Sequence, residues 1–316
     1  MTDLTADELA RIVRGPHERL LEALPSLPPD EVAGEFLRLL ALVRDIADLY
    51  ARWSVVTVGW LHERHGLDAA ASAAAVHELW PPSESPRLTD EQLAVVRDVF
   101  RGDGRVVRER VTTLAAVGDG TGLTAYWDEV NAACNQAEVI RRDVVTAQLT
   151  LVNELYGPDG LEDCLRHATD LLWVPRMERD LANAPDVRVR AWAEKMATGH
   201  HGAVAVTQHD DRWVLTLDPC GSCRRQILAG RYAPPWSFGI VAPGHRVGFL
   251  RPDITVYQAH LAIAHTLVPI ERRGAPWPAM ACSGLDGGAC ELVIYRDPAQ
   301  TDASFYEQVG VRKPVG

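Results

Sequence analysis

Apolar residues recur with helical spacing through the first half of the chain. Between residues 36 and 49 they lie along one broad face, and a similar pattern returns between residues 139 and 152. A repeat of three to four residues is the spacing with which an α-helix buries one side. The first half is therefore predicted to be all α-helical.

The same half contains an internal repeat. The segment 4–10 returns as 88–94, and the segment 53–66 is echoed by 144–157. Each copy opens with a threonine suited to a helix N-cap and carries a glycine suited to a helix C-cap. A duplicated helical array packs by burying the apolar faces of its units against each other. We therefore predict a domain at 1–175, with two similar units at about 4–82 and 88–175.

The repeat also serves as an internal control for candidate ligands. His62 and His65 could present two metal ligands on one helical face, but the matching residues are Asn153 and Tyr156. A metal that holds the unit together is therefore not expected. Five tryptophans of this half are predicted to be core anchors rather than a ligand cage. They are Trp53, Trp60, Trp80, Trp127 and Trp173.

The pattern changes after Pro175. A charged helical stretch over 177–196 is followed by short β-like runs separated by glycine and proline. Strands are predicted at 203–207, 212–217, 267–271 and 291–295, with a helix at 256–265. The first two strands should form an antiparallel hairpin. The prediction is an α+β domain at 176–316 with a mainly antiparallel sheet, and an α+β class for the chain.

Composition narrows the function. The 316 residues are 47% hydrophobic, enough for packed cores, and the formal net charge is −11. A negative net charge argues against general binding to nucleic acids or to anionic membranes, because both carry negative charge themselves. No apolar run reaches membrane-spanning length, the first residues lack signal-peptide features, and no nucleotide-cofactor motif is present. A cytoplasmic protein is expected.

Six cysteines are too few for a disulfide scaffold in a chain of this length. Cys134 and Cys164 lie in the repeats, where their counterparts are not cysteine, and are predicted to be inert. The other four lie close together in the C-terminal domain. They are Cys220, Cys223, Cys282 and Cys290.

These four cysteines are candidate metal ligands. Two thiolates separated by two residues can chelate one ion from a tight turn, as Cys220 and Cys223 would. The glycine-rich link between Cys282 and Cys290 could fold back and complete the site. His260 and His265 are alternative ligands, although their i,i+5 spacing does not place both on one α-helical face. Zinc is the expected metal because it favours thiolate and imidazole.

Other interpretations of the cysteines stay open. Cys220 could act as a nucleophile with His260 as its base, since neighbouring arginines favour a thiolate. The Cys220–Cys223 pair could also be a redox pair, or all four could be small buried thiols without chemistry. For a substrate pocket, Trp236, Phe238 and Trp277 offer rigid aromatic walls. Arg224 could bind a carboxylate or phosphate, or belong to a solvated basic edge.

Residues 200–298 resemble two groups of proteins. The resemblance is carried by the segments 218–222, 235–239, 268–271 and 294–298 together with Cys290, beginning with Asp-Pro-Cys-Gly-Ser. This run is similar to a group of uncharacterised bacterial proteins, and its ending resembles 4-vinyl-reductase-type and aminothiazoline-carboxylate-hydrolase-like domains. The resemblance implies a ligand-handling or catalytic α+β domain without a definite reaction.

Taken together, these features predict a metal-dependent bacterial enzyme that acts on a small polar organic molecule. The expected chemistry is hydrolytic or lyase-type, at a Cys/His zinc site in the C-terminal domain. The first alternative is a non-enzymatic sensor of a small molecule or metal. A further alternative is a cysteine-nucleophile or thiol-redox enzyme that uses Cys220. The helical half would supply one pocket wall and could offer a homodimer surface.

Overall fold

A computed structural model describes residues 3–80, 87–101, 104–285 and 287–314. In these ranges the chain begins with long helices and ends with a small sheet and short helices. The α-helices are α1 (Ala6–Ile12), α2 (Pro16–Ser26), α3 (Pro29–His65), α4 (Ala69–Glu78), α5 (Asp90–Arg101), α6 (Arg105–Ala116), α7 (Gly120–Leu172), α8 (Val174–Leu181), α9 (Pro185–Glu194), α10 (Cys223–Leu228), α11 (Val268–Arg273) and α12 (Ser304–Glu307).

The long helices α3 and α7 run parallel and in register along the helical half. Phe36 contacts Trp127 with ring centroids 5.2 Å apart, and His65 stacks on Tyr156 at 3.6 Å. In both pairs the second residue lies 91 positions after the first, which is also the offset between the repeat segments 53–66 and 144–157. Equivalent positions of the two predicted copies therefore face each other, while the duplication itself stays a prediction.

Local sequence signals set the helix ends in this half. Thr5 and Glu8 form a capping box at the start of α1, as the sequence predicts. Gly66 ends α3 in the left-handed conformation, with a φ of 66°. Gly157 has a φ of 67° and interrupts α7 just before Pro158. Both glycines of the repeat therefore stand where the chain must leave the helix.

The C-terminal sheet is fully antiparallel, with the strand order β1-β2-β4-β3. Its strands are β1 (Val204–Gln208), β2 (Arg212–Leu217), β3 (Ala279–Ala281) and β4 (Cys290–Tyr295). The predicted α+β class and the β1–β2 hairpin are confirmed. The pairing of Leu217 with Cys290 brings the end of β2 beside the start of β4.

One predicted element is wrong, and a second differs in its kind of helix. Residues 267–271 were expected to form a strand, but α11 covers most of them, and Pro269 lies in its first turn, where proline is tolerated. The helix expected at 256–265 begins only at residue 259, and over Leu261–Leu267 it is a π-helix and not an α-helix. Short apolar runs do not distinguish strands from buried helices, since both faces of either are covered.

One hydrophobic cluster spans the predicted domain boundary at residue 175. It joins Trp53 and Leu149 of the helical half with Trp213 and Leu292 of the sheet, all buried. The sheet therefore shares one core with α3 and α7, while the elements that contact it most are the helical segment Leu261–Leu267 and α9. Among the described residues, no helix has both the length and the apolar character needed to cross a membrane.

Candidate functional site

A partly enclosed cavity of about 70 Å³ lies where the helical half meets the sheet. Six of its 21 lining residues are tyrosine or tryptophan. The aromatic residues that line it are Tyr50, Trp53, Trp173, Trp192, Tyr257 and Trp277. Trp53 and Trp173 are thus both core residues and cavity walls, which corrects the expectation that they serve only as core anchors. We call this space the aromatic cavity; it has room for a ligand of a few non-hydrogen atoms.

Four buried thiols meet at one side of the aromatic cavity. The Cys220 and Cys223 sulfurs are 3.6 Å apart, and the Cys290 thiol interacts with Cys220, Cys223 and Cys282. Cys220, Cys223 and Cys290 line the cavity, whereas Cys282 does not. We call these four residues the thiol cluster. The fold thus brings together cysteines that lie up to 70 positions apart in the sequence.

The thiol cluster favours one thiolate, at Cys290. Hydrogen bonds from the Cys220, Cys223 and Cys282 thiols lower the pKa of Cys290, and those contacts raise the pKa of Cys223 and Cys282. Polar groups surround the sulfurs. Gln258 Nε2 donates to Cys282 Sγ at 3.1 Å, and Ser283 Oγ lies 3.5 Å from Cys290 Sγ. Donors of this kind orient thiolate ligands in metal sites.

The loop that carries Cys220 and Cys223 is held tightly against the helical half. A Cβ atom on Gly221 would lie 1.4 Å from the His200 carbonyl oxygen, so only glycine fits there. Arg142 of α7 donates through Nη1 to the Gly221 carbonyl oxygen at 3.1 Å. The backbone of the cysteine loop is therefore held by close contact with His200 and by the hydrogen bond from Arg142.

Two neutral imidazoles share the aromatic cavity with the thiols. His260 Nδ1 lies 2.5 Å from the Tyr257 carbonyl oxygen, and His265 Nδ1 lies 2.6 Å from that of Trp277. Nδ1 therefore carries the proton, and Nε2 keeps its lone pair for a metal or a substrate proton. Burial lowers the pKa of His260 to about 4 and that of His265 to about 3.

The π-helical segment Leu261–Leu267 explains why both histidines reach the cavity. A π-helix repeats at i,i+5, so His260 and His265 fall on one side, with ring centroids 6.3 Å apart. This corrects the expectation from α-helical spacing. A second π-helical segment, Lys195–Gly199, contributes Lys195 and Met196 to the same cavity. Such segments are frequent at functional sites.

Positively charged side chains lie where the aromatic cavity meets the surface. A surface pocket of about 230 Å³ shares Arg176, Trp192, Lys195 and Trp277 with the cavity. Arg176 donates to Asp45 at 3.0 Å, and Lys195 Nζ lies 3.8 Å from the same carboxylate. Burial lowers the pKa of Lys195. The entrance thus favours a ligand with an anionic end.

The residues predicted for a substrate pocket lie in different parts of the structure. Trp277 lines the aromatic cavity, but Trp236 and Phe238 pack in a different cluster with Val76 and Ala147. Arg224 lies against Gly287 in the loop between β3 and β4. Loop sequence carries no information on which side of the sheet an aromatic residue packs. The structure therefore moves the pocket away from Trp236, Phe238 and Arg224.

Several cavity residues were not found by sequence reasoning. Tyr50 and Tyr257 place their hydroxyl groups 2.5 Å apart in the wall, and His200 joins them there. Tyr50 looks like any apolar-face residue of a long helix, and Lys195 lies in an ordinary charged stretch. No pattern in one sequence marks a π-helical segment, so these positions carried no signal.

In this structure the thiol sulfurs do not form a complete coordination site. Within the described ranges, no set of three or more His, Cys, Asp or Glu side chains is arranged, as it stands, to hold a metal ion.

The chain matches no protein-family model, and no curated protein or solved structure is detectably similar to it. The resemblance of residues 200–298 to bacterial ligand-handling domains therefore stays a prediction.

Proposed function

We propose that the chain is a zinc-dependent enzyme that acts on a small organic acid in the aromatic cavity. The observation that carries the proposal is the thiol cluster, three of whose members line that cavity. Tetrahedral zinc with bonds of about 2.3 Å places its sulfurs about 3.8 Å apart, close to the 3.6 Å between Cys220 and Cys223. Metal binding requires the other thiols to lose their protons and adjust their rotamers, as thiolate sites do.

Three cavity-facing thiols favour a catalytic over a closed site. Cys220, Cys223 and Cys290, which line the cavity, would hold zinc, and Cys282, which does not line it, would not be needed as a ligand, because a catalytic zinc takes only three protein ligands. Bound zinc would supply a Lewis acid for hydrolytic or lyase-type chemistry. The chain's own contribution is an aromatic wall and a neutral His260, whose free Nε2 can accept or return a proton.

The entrance indicates the substrate class. Arg176 and Lys195 pair with Asp45, whose side chain is half exposed. A substrate carboxylate can replace Asp45 as the partner of these two cations. Trp192 and Trp277 offer a fixed wall to the apolar part of such a molecule, since their rings contact each other edge to face and Trp277 Nε1 donates to Asp180 at 2.6 Å. A small carboxylic acid therefore fits both the charge and the size of the cavity.

One observation favours a second function. Cys282 also interacts with Cys290, so all four thiols could close around the metal. A closed four-thiolate site is typical of structural or sensing zinc, without an open position for chemistry. The chain would then be a binding protein that senses a small acid or zinc itself.

Metal analysis of the purified full chain tests the proposal and separates the two functions. We expect about one zinc equivalent in the wild type, retained in Cys282→Ser and lost in Cys220→Ser, because a catalytic site needs only three protein ligands. Loss of zinc in Cys282→Ser as well would favour the closed site. Less than about 0.2 equivalents in wild-type protein grown with zinc would refute both.

A further inference from the structure

A second pocket, separate from the aromatic cavity, lies between α7 and α10. Its volume is about 190 Å³. Three arginines line it, Arg142, Arg225 and Arg231, against a single acidic lining residue, Asp143. We call it the arginine pocket. Its lining charges sum to a surplus of positive charge, which is unusual in a chain with a net charge of −11.

The arginines are fixed in place and crowded. Arg225 Nη1 donates to Asn135 Oδ1 at 2.6 Å, and Arg231 Nε lies 3.1 Å from Asp143 Oδ2. Arg142 is 2% exposed, and its Nε–H has no hydrogen-bond partner among the described residues. Burial and the nearby Arg142 lower the pKa of Arg225. A buried donor without an acceptor is costly, and a bound anion is one polar group that could supply the missing acceptor.

The nearest additional acid does not supply that group. Glu138 lies one helical turn before Arg142, with its carboxylate 3.6 Å from Nη1, and does not line the arginine pocket. Burial raises the pKa of Glu138 to about 7. At neutral pH this carboxyl group therefore cancels only part of the positive charge.

We propose that the arginine pocket binds a small dianionic oxyanion of the phosphate class. Guanidinium groups hold phosphate oxygens by paired hydrogen bonds, and three of them against Asp143 match a charge of about −2. A phosphate group fits within the pocket volume. This proposal does not depend on zinc or on the substrate proposed for the aromatic cavity.

Binding there would act on the cysteine loop. Arg142 also donates to the Gly221 carbonyl oxygen, and Arg225 lies on α10, which begins at Cys223. An anion that bridges these two arginines ties α7 to both ends of the Cys220–Cys223 loop. The arginine pocket is thus placed to couple an anion in solution to the order of the thiol cluster.

Calorimetric titration of the full chain with inorganic phosphate, in about 150 mM chloride, tests the proposal. We expect millimolar or tighter binding to wild-type protein, weakened at least about tenfold by Arg225→Gln through loss of charge-assisted hydrogen bonds. Arg224→Gln removes the same charge from the same helix but faces Gly287, so its affinity should stay within about twofold of wild type.

Two results would overturn the proposal: no binding of phosphate at about 10 mM, or equal weakening by both variants, which would indicate a general charge effect. If Arg225→Gln does not fold, Val139→Glu replaces it as the test. This change adds a negative charge to the pocket rim at a half-buried position on α7 and should abolish phosphate binding.

Discussion

Cys290→Ser is expected to release zinc and to lower the Tm of the protein by about 10 °C. Cys290 is the member of the thiol cluster whose sulfur interacts with all three others, so its loss removes the centre of the site. A ligand present at about a thousand times its Kd stabilises a fold by about 4 kcal/mol. In a chain of this size each kcal/mol shifts Tm by roughly 2–4 °C. Metal analysis and thermal unfolding of the same samples measure both effects.

Chelation provides the control for this prediction. After zinc is removed, wild type and Cys290→Ser should unfold within about 3 °C of each other, because only the small serine-for-cysteine change still separates them. Cys134→Ala is the matched variant, since Cys134 is equally buried but lies in the separate helical cluster. It should keep its zinc. A Cys290→Ser protein with full zinc and an unchanged Tm would contradict the prediction.

The parts of the fold predictable from sequence are those set by local chemistry. Thr5 with Glu8 and the glycine at position 66 mark helix ends through their own hydrogen bonds and backbone conformation. The β1–β2 hairpin follows from alternation and a polar turn. By contrast, residues 267–270 are apolar and buried on all sides, so their sequence has no periodicity that would separate a strand from a helix.

The candidate site divides in the same way. The cysteine spacing singles out the residues of the thiol cluster, because thiols three or eight positions apart can meet without help from the rest of the chain. Tyr50 and Lys195 are over 140 positions apart in the sequence and share the cavity only through packing of α3 against the π-helical segment Lys195–Gly199. Their roles depend on tertiary structure, which no local motif records.

Arg142→Met is expected to lower the free energy of unfolding by about 3–5 kcal/mol, the usual cost of removing one partner from a buried charge cluster. Arg142 is 2% exposed, and its Nη1 lies 3.6 Å from the fully buried carboxylate of Glu138, whereas Asp143 keeps Arg231 as a partner at 3.1 Å. The variant also loses the hydrogen bond to the Gly221 carbonyl oxygen. Urea unfolding measures the loss, and Arg141→Met is the control. Arg141 is half-buried beside Asp48, so its replacement should cost at most about 1 kcal/mol.

The loss in Arg142→Met should grow with pH, and this dependence identifies its cause. In the wild type, burial already raises the pKa of Glu138 to about 7, while Arg142 holds it down. Without Arg142 the pKa of Glu138 in the folded state rises further above its unfolded value. A folded-state pKa above the unfolded value means that the group stabilises the fold at low pH, and that this stability is lost as pH rises through the folded-state pKa.

The free energy of unfolding of Arg142→Met should therefore be closer to that of wild type at pH 5.5 than at pH 8, where Glu138 must ionise without its partner. A loss that is the same at both pH values would show that packing, and not the buried charge, accounts for the effect.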